Sequence, residues 1–527
     1  MLDKIKKYWK ILVWPLIWLY YSAFSVIIYW DSAHYMSYVY ILEGKLGMEN
    51  WDIVRGPVFP YIIYFCRKIL GKSNWSLIII TFISYAIMLF FVNLFLKKCL
   101  DNIKDKRTKY IFYLLTFVLI IFNPIILGYY HALLTEFIAL TLTIVCCYLA
   151  WKWIDLDFFD SKIKYILYTI LFSILFVFSW FLKQPYVAIP LFPFLIASVI
   201  SIYQKFNLKN ILQRIISLVL MIFVLINSNN MWYMYLSDSG LDLNTNRNVV
   251  QGFGGQLVTG SRNIRSVNDL EALKENYENY AYLNSEEKLV LEKNIGKETN
   301  EFYAYNILNL DGDVIDTKVI DIEGKNSISV VQALSLIGET FVEHSIIVLD
   351  GYISAYLCLA DLYEKNPELP TGLNEKLAFG CEENCTIGSG ITEVKDNIYY
   401  MTDEMYEKVE SYEKFNVAPR ILRVPLRLIS SIFQKYYSLS MITLPFLCIA
   451  VLLIRLIYNK KLNEQSKKEY NIIIIFLWFS FFNALVYVFT TACIDRYVAV
   501  GIIPMVISQI LLIKNFFVYI KEKSERG

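Results

Sequence analysis

Ten apolar runs, each about as long as a bilayer-crossing helix, constrain this chain more than any other feature. They are Leu12–Tyr29, Trp75–Leu96, Tyr110–Leu127, Leu133–Trp151, Ile163–Leu182, Tyr186–Tyr203, Ile211–Ile226, Tyr437–Ile457, Asn471–Thr491 and Val498–Ile513. A helix crosses the hydrocarbon core with ~20 residues at 1.5 Å rise, so the runs predict ten spans. Tyr61–Leu70 is apolar but too short to cross, and predicts a helix lying in the interface. Composition agrees: 56% of residues are hydrophobic and only 19% charged, against about 25% charged in a soluble domain. The wealth of aromatic residues excludes a disordered chain. The first run is too long and too aromatic for a signal-peptide core, and no A-x-A site follows it, so it is expected to stay as an anchor.

Charge sets the orientation. Lys4, Lys6, Lys7 and Lys10 precede the first run, and Lys97, Lys98, Lys104, Lys106, Arg107 and Lys109 separate the second from the third. Lys460, Lys461, Lys467 and Lys468 follow the eighth, and Lys521, Lys523 and Arg526 end the chain. Short basic loops stay cytoplasmic. Ten spans with both termini cytoplasmic satisfy all four clusters, whereas an eleventh span at Tyr61–Leu70 inverts every later loop.

One long segment does not belong to the membrane. Asn229–Pro425 carries 32 acidic and 16 basic residues, a net charge of −16, while the rest carries 34 basic and 16 acidic, or +18. The sequence thus divides into an N-terminal transmembrane module (1–228), an acidic extracytoplasmic segment (229–425) and a C-terminal transmembrane module (426–527). The acidic segment mixes a strand-like piece, Asp313–Ile322, with helical ones, Asn268–Tyr277, Ser285–Asn294 and Thr402–Phe415. Ser329–Leu362 is apolar but interrupted by Glu339, Glu343, His344, Asp350 and Asp361. Charges are costly at mid-bilayer, so it reads as amphipathic helices on the outer leaflet. The expected fold is all-α and polytopic with about ten transmembrane helices, plus an α+β outer segment. Cys381 and Cys385 lie in that segment with spacing for either a small-loop disulfide or two free thiols.

Soluble-enzyme motifs are absent. Gly71-Lys72-Ser73 ends like a phosphate loop, but Cys66 stands where its first Gly belongs. Three histidines in the whole chain argue against a histidine-built metal site or triad. Gly252-Phe-Gly254-Gly255 reads as a flexible turn, and Asp311-Gly-Asp313 as a surface turn without EF-hand spacing. Polar residues at the outer ends of spans remain: Asp31 after the first, Arg55 in Arg55-Gly56-Pro57, Glu136 just inside the fourth, Lys183 in the turn between the fifth and sixth, and Arg496 before the last. Singly, each has a bland reading as a cap, a solvated turn residue or a headgroup contact. Together, two acids and three bases at one level of a membrane bundle suit an anionic substrate. His34 and Tyr35 are expected to stand behind them.

These strings resemble a family. Asp31-Ser-Ala-His-Tyr35, Glu43-Gly44 and Arg55-Gly-Pro57-Val-Phe-Pro60 are similar to the first outer loop of the GT-C glycosyltransferases, in the branch of bacterial protein mannosyltransferases and the lipid A aminoarabinose transferase. Leu134-Thr135-Glu136, Leu182-Lys183-Gln-Pro185 and Asp495-Arg496-Tyr497 with Pro504 resemble that branch's second acidic site, basic-x-Pro turn and Arg-Tyr ending. The likeness covers roughly Asp31–Pro193 and Cys493–Ile513. Where the family carries an acidic pair this chain has Asp31-Ser32, which loses a candidate metal ligand, and Gly56 replaces the first Pro of the basic motif.

The resemblance implies an enzyme that moves a sugar from a polyprenyl phosphate to an extracytoplasmic acceptor. It assigns Asp31 and Glu136 as catalytic acids or bases, and Arg55, Lys183 and Arg496 as ligands of the donor phosphate. No cofactor is implied and a divalent metal is not indicated. The expected partners are the lipid-linked sugar, the bilayer and a neutral or cationic envelope acceptor, because the acidic outer segment repels polyanions; no nucleic acid is expected. Two further readings stay open: a transporter or flippase of lipid-linked saccharide, expected to show inverted repeats or broken helices, and a polysaccharide polymerase or ligase using Arg262, Arg265 and Arg420. A scaffold without activity is the third.

Overall fold

The computed structural model describes residues 13–22, 30–45, 47–48, 51, 55–71, 74–101, 103, 105–241, 391–395, 398–401, 417–458, 462–490 and 498–524, with scattered positions in 334–357. The strand and helices expected at 268–277, 285–294, 313–322 and 402–415, together with Arg496, Cys381 and Cys385, lie outside the described residues. The chain separates into two compact units, one of Met1–Leu241, Pro367–Ser480 and Ala499–Gly527, the other of Asp242–Asn366 and Phe481–Val498.

The first unit is a bundle of apolar helices. In chain order they are α1 (Trp30–Leu42), α2 (Val58–Leu70), α3 (Asn74–Leu100), α4 (Lys106–Ile120), α5 (Pro124–His131), α6 (Glu136–Trp153), α7 (Lys162–Leu182), α8 (Ala188–Gln204), α9 (Leu208–Asp238), α10 (Val417–Ile457), α11 (Glu464–Thr490) and α12 (Ile502–Ser524); α11 continues from Ser480 into the second unit. Among the described residues, eight helices are long and apolar enough to cross a membrane, or nine if the bent pair α4–α5 is one span. The chain is a polytopic helical membrane protein. Residues 13–21 are also helical, and Tyr21 packs on Phe82, Tyr85 and His131 with its hydroxyl donating to the Tyr130 carbonyl at 3.0 Å. In the second unit, the helical Tyr352 and Tyr356 meet Phe489 and Phe481 while Ile353 and Leu357 stay exposed. A short antiparallel hairpin pairs Ile391–Lys395 with Ile398–Met401.

Three boundaries differ from the hydropathy reading, each for a local reason. The run Tyr110–Leu127 is not one helix: it bends by 50° between α4 and α5. Pro124 cannot continue the hydrogen-bond ladder, and the Asn123 side chain accepts from the amides of Ile125 (3.0 Å) and Ile126 (3.3 Å), starting a new helix there. The fourth helix begins at Glu136, not Leu133, because residues 132–135 are non-helical. Finally α9 continues past Ile226 to Asp238, beyond the 228/229 division read from composition. Its added turns carry Trp232, which meets Trp51 and Phe181.

A helix is present over the expected Tyr61–Leu70 as α2, 13 residues long or about 20 Å, short of the hydrocarbon thickness. Phe59, Ile63 and Cys66 face the bundle while Phe65, Ile69 and Leu70 are exposed. The Cys66 thiol donates to the Ser76 carbonyl at 3.0 Å. Burial pushes this thiol's pKa up, against the opposing charge of Arg67. Since the thiolate is the reactive form, iodoacetamide at pH 8 is expected to modify Cys66 at least about tenfold more slowly in the folded protein than in detergent-denatured chain, as read by peptide mass mapping.

Two buried polar clusters hold the end of the bundle opposite Glu136. Arg214 on α9 donates to the carbonyls of Trp153 (3.2 Å) and Leu156 and to Ser201 Oγ (2.8 Å), while stacking over the Trp153 ring at 4.5 Å. It therefore adds a donor to the last carbonyl of α6, which also accepts from the Leu156 amide at 3.1 Å, and binds a carbonyl of the loop that follows. Lys514 on α12 and Glu469 on α11 form a 2.5 Å ion pair, both side chains 3% exposed. Breaking a buried pair strands a charge, at a cost of about 3–5 kcal/mol, whereas an apolar replacement of both partners is close to neutral. Lys514→Met is accordingly expected to lower the thermal midpoint sharply, and Lys514→Met/Glu469→Leu to restore most of it in a detergent melting series.

Candidate functional site

The helix ends sort the charged residues into two levels. On α3 and α6, Ser84 Oγ donates to the Phe137 carbonyl (3.1 Å), and Phe95 meets Trp151 further along. The two helices thus run in the same direction, with Glu136 at one end and Lys152 at the other. Helix α7 runs the opposite way: its start, Tyr165, meets Trp153, and its end delivers Lys183 to Glu136. Gln465 at the start of α11 donates to the Lys98 carbonyl at 3.3 Å. Lys98, Lys152 and the first turn of α11 therefore share the end opposite Glu136.

Glu136 is the first residue of α6 and is 1% exposed. The unpaired amides of a helix N-terminus favour a carboxylate there. Its Oε1 lies 3.9 Å from Lys183 Nζ, an ion-pair distance too long for a direct hydrogen bond. Its Oε2 is 3.4 Å from Thr135 Oγ1, which also contacts the buried Tyr186 hydroxyl at 3.4 Å. Lys183 ends α7 in extended backbone (φ −166°, ψ 126°) and is followed by a single 3-10 turn, Gln184–Val187, started by Pro185. That turn points the Lys183 ammonium back over the bundle toward Glu136, 5.7 Å from the Tyr186 ring.

Arg55 reaches the same region through its backbone. A Cβ on Gly56 would stand 2.0 Å from the Phe181 carbonyl oxygen and 2.5 Å from its carbon. Only a glycine permits the Arg55-Gly56-Pro57 loop to lie flat on the last turn of α7, two residues before Lys183. The loop is fixed on its other side by Trp51, fully buried, whose indole N–H donates to the Arg55 carbonyl at 3.0 Å. The Arg55 guanidinium donates to Tyr35 Oη at 3.4 Å. Tyr35 packs edge-on against Phe59, and Phe59 against Phe137, the neighbour of Glu136. Tyr35 thus stands behind Arg55.

Asp31 and His34 belong to the first turns of α1; their side chains lie outside the described part. The adjacent Ser32 is fully buried and donates to the Leu133 carbonyl at 2.8 Å, three residues before Glu136. This ties the start of α1 to the segment that opens α6. Arg496 lies outside the described residues. The 3-10 turn after it, Ala499–Gly501, is buried, packs against α6 and accepts from Ser480 Oγ at Gly501 (2.8 Å).

The structure therefore brings together Glu136, Lys183, the Arg55–Gly56 loop and the start of α1. It adds contacts of Ser32 and Thr135, which the motif strings contain without a role, and of Phe181 and Tyr186, which hydropathy and motif spacing do not single out. A second ionic group, Glu43 with Arg67 (3.6 Å) and Lys45 (3.3 Å), joins α1 to α2 beside the Tyr40 ring. Among the described residues no three His, Cys, Asp or Glu side chains converge as a metal site. No family model matches the chain, and no curated protein or solved structure shows significant similarity to it.

Proposed function

We propose that this protein is an integral-membrane glycosyltransferase that moves a sugar from a polyprenyl phosphate to an acceptor outside the cytoplasm. One observation carries the reading: a buried carboxylate, a lysine and an arginine-bearing loop from separate elements meet at the end of the bundle that also receives the start of α1. Anion recognition needs cations held at fixed positions, and Gly56, Trp51 and the Pro185 turn supply that fixation.

In this reading the acceptor oxygen forms a bond to the anomeric carbon as the anomeric carbon–phosphate oxygen bond breaks. The bonding pair leaves with the polyprenyl phosphate, and the acceptor proton passes to the Asp31 carboxylate as general base. Lys183 and Arg55 offset the charge that grows on the departing phosphate. Glu136 holds Lys183 in place through their ion pair. The prenyl tail remains in lipid between spans, the −16 segment forms an extracytoplasmic α+β domain, and both termini face the cytoplasm by the positive-inside argument. Neutral or cationic acceptors follow from the same charge.

Carrier binding tests the clamp apart from chemistry. Lys183→Met is expected to weaken binding of a fluorescent polyprenyl phosphate to protein in nanodiscs by about tenfold or more, consistent with the ~1.5–3 kcal/mol of a hydrogen bond to a charged group. Unchanged binding in both Lys183→Met and Arg55→Gln would remove the clamp.

A lipid-linked saccharide transporter is the second reading, favoured by one observation: the span broken at Asn123–Pro124, since broken helices recur in transporters. The two separate in proteoliposomes. A transporter moves labelled lipid across the bilayer without a new glycosidic bond; a transferase forms the bond.

A further inference from the structure

At the end of the bundle opposite Glu136, three helices deliver lysines to one spot. Lys98 lies in the last turn of α3, Lys152 in the last turn of α6 and Lys468 in the first turns of α11. Lys98 and Lys468 both act on Lys152 as near like charges, with Asp155 the near opposite charge. Asp155 sits 3.8 Å from Lys468, whose side chain is 47% exposed. Among the described residues, the neighbouring acids are engaged elsewhere: Glu464 with Lys467 at 2.7 Å and Asp101 with Lys109 at 3.3 Å. Glu464 also acts on Lys468, but with Lys467 beside it the spot holds four lysines against two carboxylates and stays positive, and the fold holds it together at the cost of their mutual repulsion.

The surroundings are those of a membrane boundary. The Lys152 ammonium lies 4.2 Å from the centre of the buried Trp151 ring and 5.6 Å from that of Tyr148, so its alkyl stem covers aromatic surface. Tyr148 in turn meets Phe95 (5.4 Å) and Phe91 (5.3 Å), about one and two turns deeper than Lys98 on α3, and both Phe91 and Tyr148 remain partly exposed. A cationic rim above half-exposed aromatic rings, at the level where three apolar helices stop, matches a lipid with an anionic headgroup and acyl chains.

We propose that Lys98, Lys152 and Lys468 form a binding site for an anionic phospholipid of the surrounding leaflet, with its phosphodiester among the three ammonium groups and an acyl chain along Phe91 and Tyr148. The site lies at the far end of the bundle from the transfer centre and does not depend on that assignment. Juxtamembrane lysines attract anionic lipid by an amount equivalent to about fivefold each.

The test uses the full-length protein in nanodiscs mixing phosphatidylglycerol with phosphatidylcholine, with the bound lipid counted by native mass spectrometry after extraction. The wild type is expected to retain phosphatidylglycerol over phosphatidylcholine. Lys98→Gln/Lys152→Gln/Lys468→Gln is expected to lower that retention about tenfold or more, and the triple Lys→Arg variant to keep it. If the triple Gln variant does not fold, Lys468→Gln alone, at an exposed position, is expected to show a loss of about fivefold. Equal retention of the two lipids, or unchanged phosphatidylglycerol in the Gln variants, would overturn the proposal. So would displacement of the lipid by millimolar inorganic phosphate, which would mark a soluble-anion site.

Discussion

Glu136→Gln is expected to reduce sugar transfer about 10²–10³-fold while leaving the helical bundle assembled. The neutral amide keeps the size of the side chain but no longer balances Lys183, whose side chain is 13% exposed. The stability loss is expected near the low end of the ~3–5 kcal/mol of a broken buried pair, because the contact is long and Lys183 retains some water. Glu136→Gln/Lys183→Met removes both charges. It is expected to regain most of the thermal midpoint and none of the turnover. A structural role alone predicts that stability and activity return together, so the double variant separates the two.

Gly56→Ala is expected to be nearly as damaging. The added methyl meets the backbone oxygen of Phe181 at 2.0 Å, and neither partner is a flexible side-chain tip that can rotate away. The loop must lift off the end of α7, at about 1–3 kcal/mol or more of overpacking, and Arg55 moves with it. Loss of transfer with a lowered midpoint is the expected pair of results. Gly71→Ala supplies the control: its Cβ meets nothing within 4 Å, but its φ is +86°. There only the backbone is penalised: φ 86° with ψ 167° is a region essentially reserved for glycine, at about 1–3 kcal/mol, with turnover unchanged.

Hydropathy reads most of the membrane helices to within a few residues, because each is a continuous apolar run whose exposed face meets lipid. It misreads Tyr110–Leu127 because Asn123-Pro124 sits inside apolar sequence, and a windowed average cannot see a missing N–H. It also passes over Arg214 within Ile211–Ile226. A lone charge inside a span needs buried partners, so that signal was present, although its acceptors at Trp153, Leu156 and Ser201 are set by packing.

The candidate site is legible in part. Asp31, Arg55, Glu136 and Lys183 stand out as polar residues at span ends, with His34 and Tyr35 read as standing behind them. The contacts that gather them do not stand out. Ser32 to the Leu133 carbonyl and Gly56 to the Phe181 backbone join residues far apart in sequence, and neither follows a spacing rule. Gly56 even reads as a defect of the basic motif, since its value lies in the backbone that approaches it.

The most direct measurement of the central claim is single-turnover transfer from labelled polyprenyl-phosphate sugars to envelope fractions, by purified protein in liposomes, for the wild type and Asp31→Asn. The isosteric amide cannot take the acceptor proton, so transfer is expected to fall about 10²–10⁴-fold with carrier binding unchanged. Equal transfer by the two proteins, or movement of labelled lipid across the bilayer with no new glycosidic bond, would contradict it.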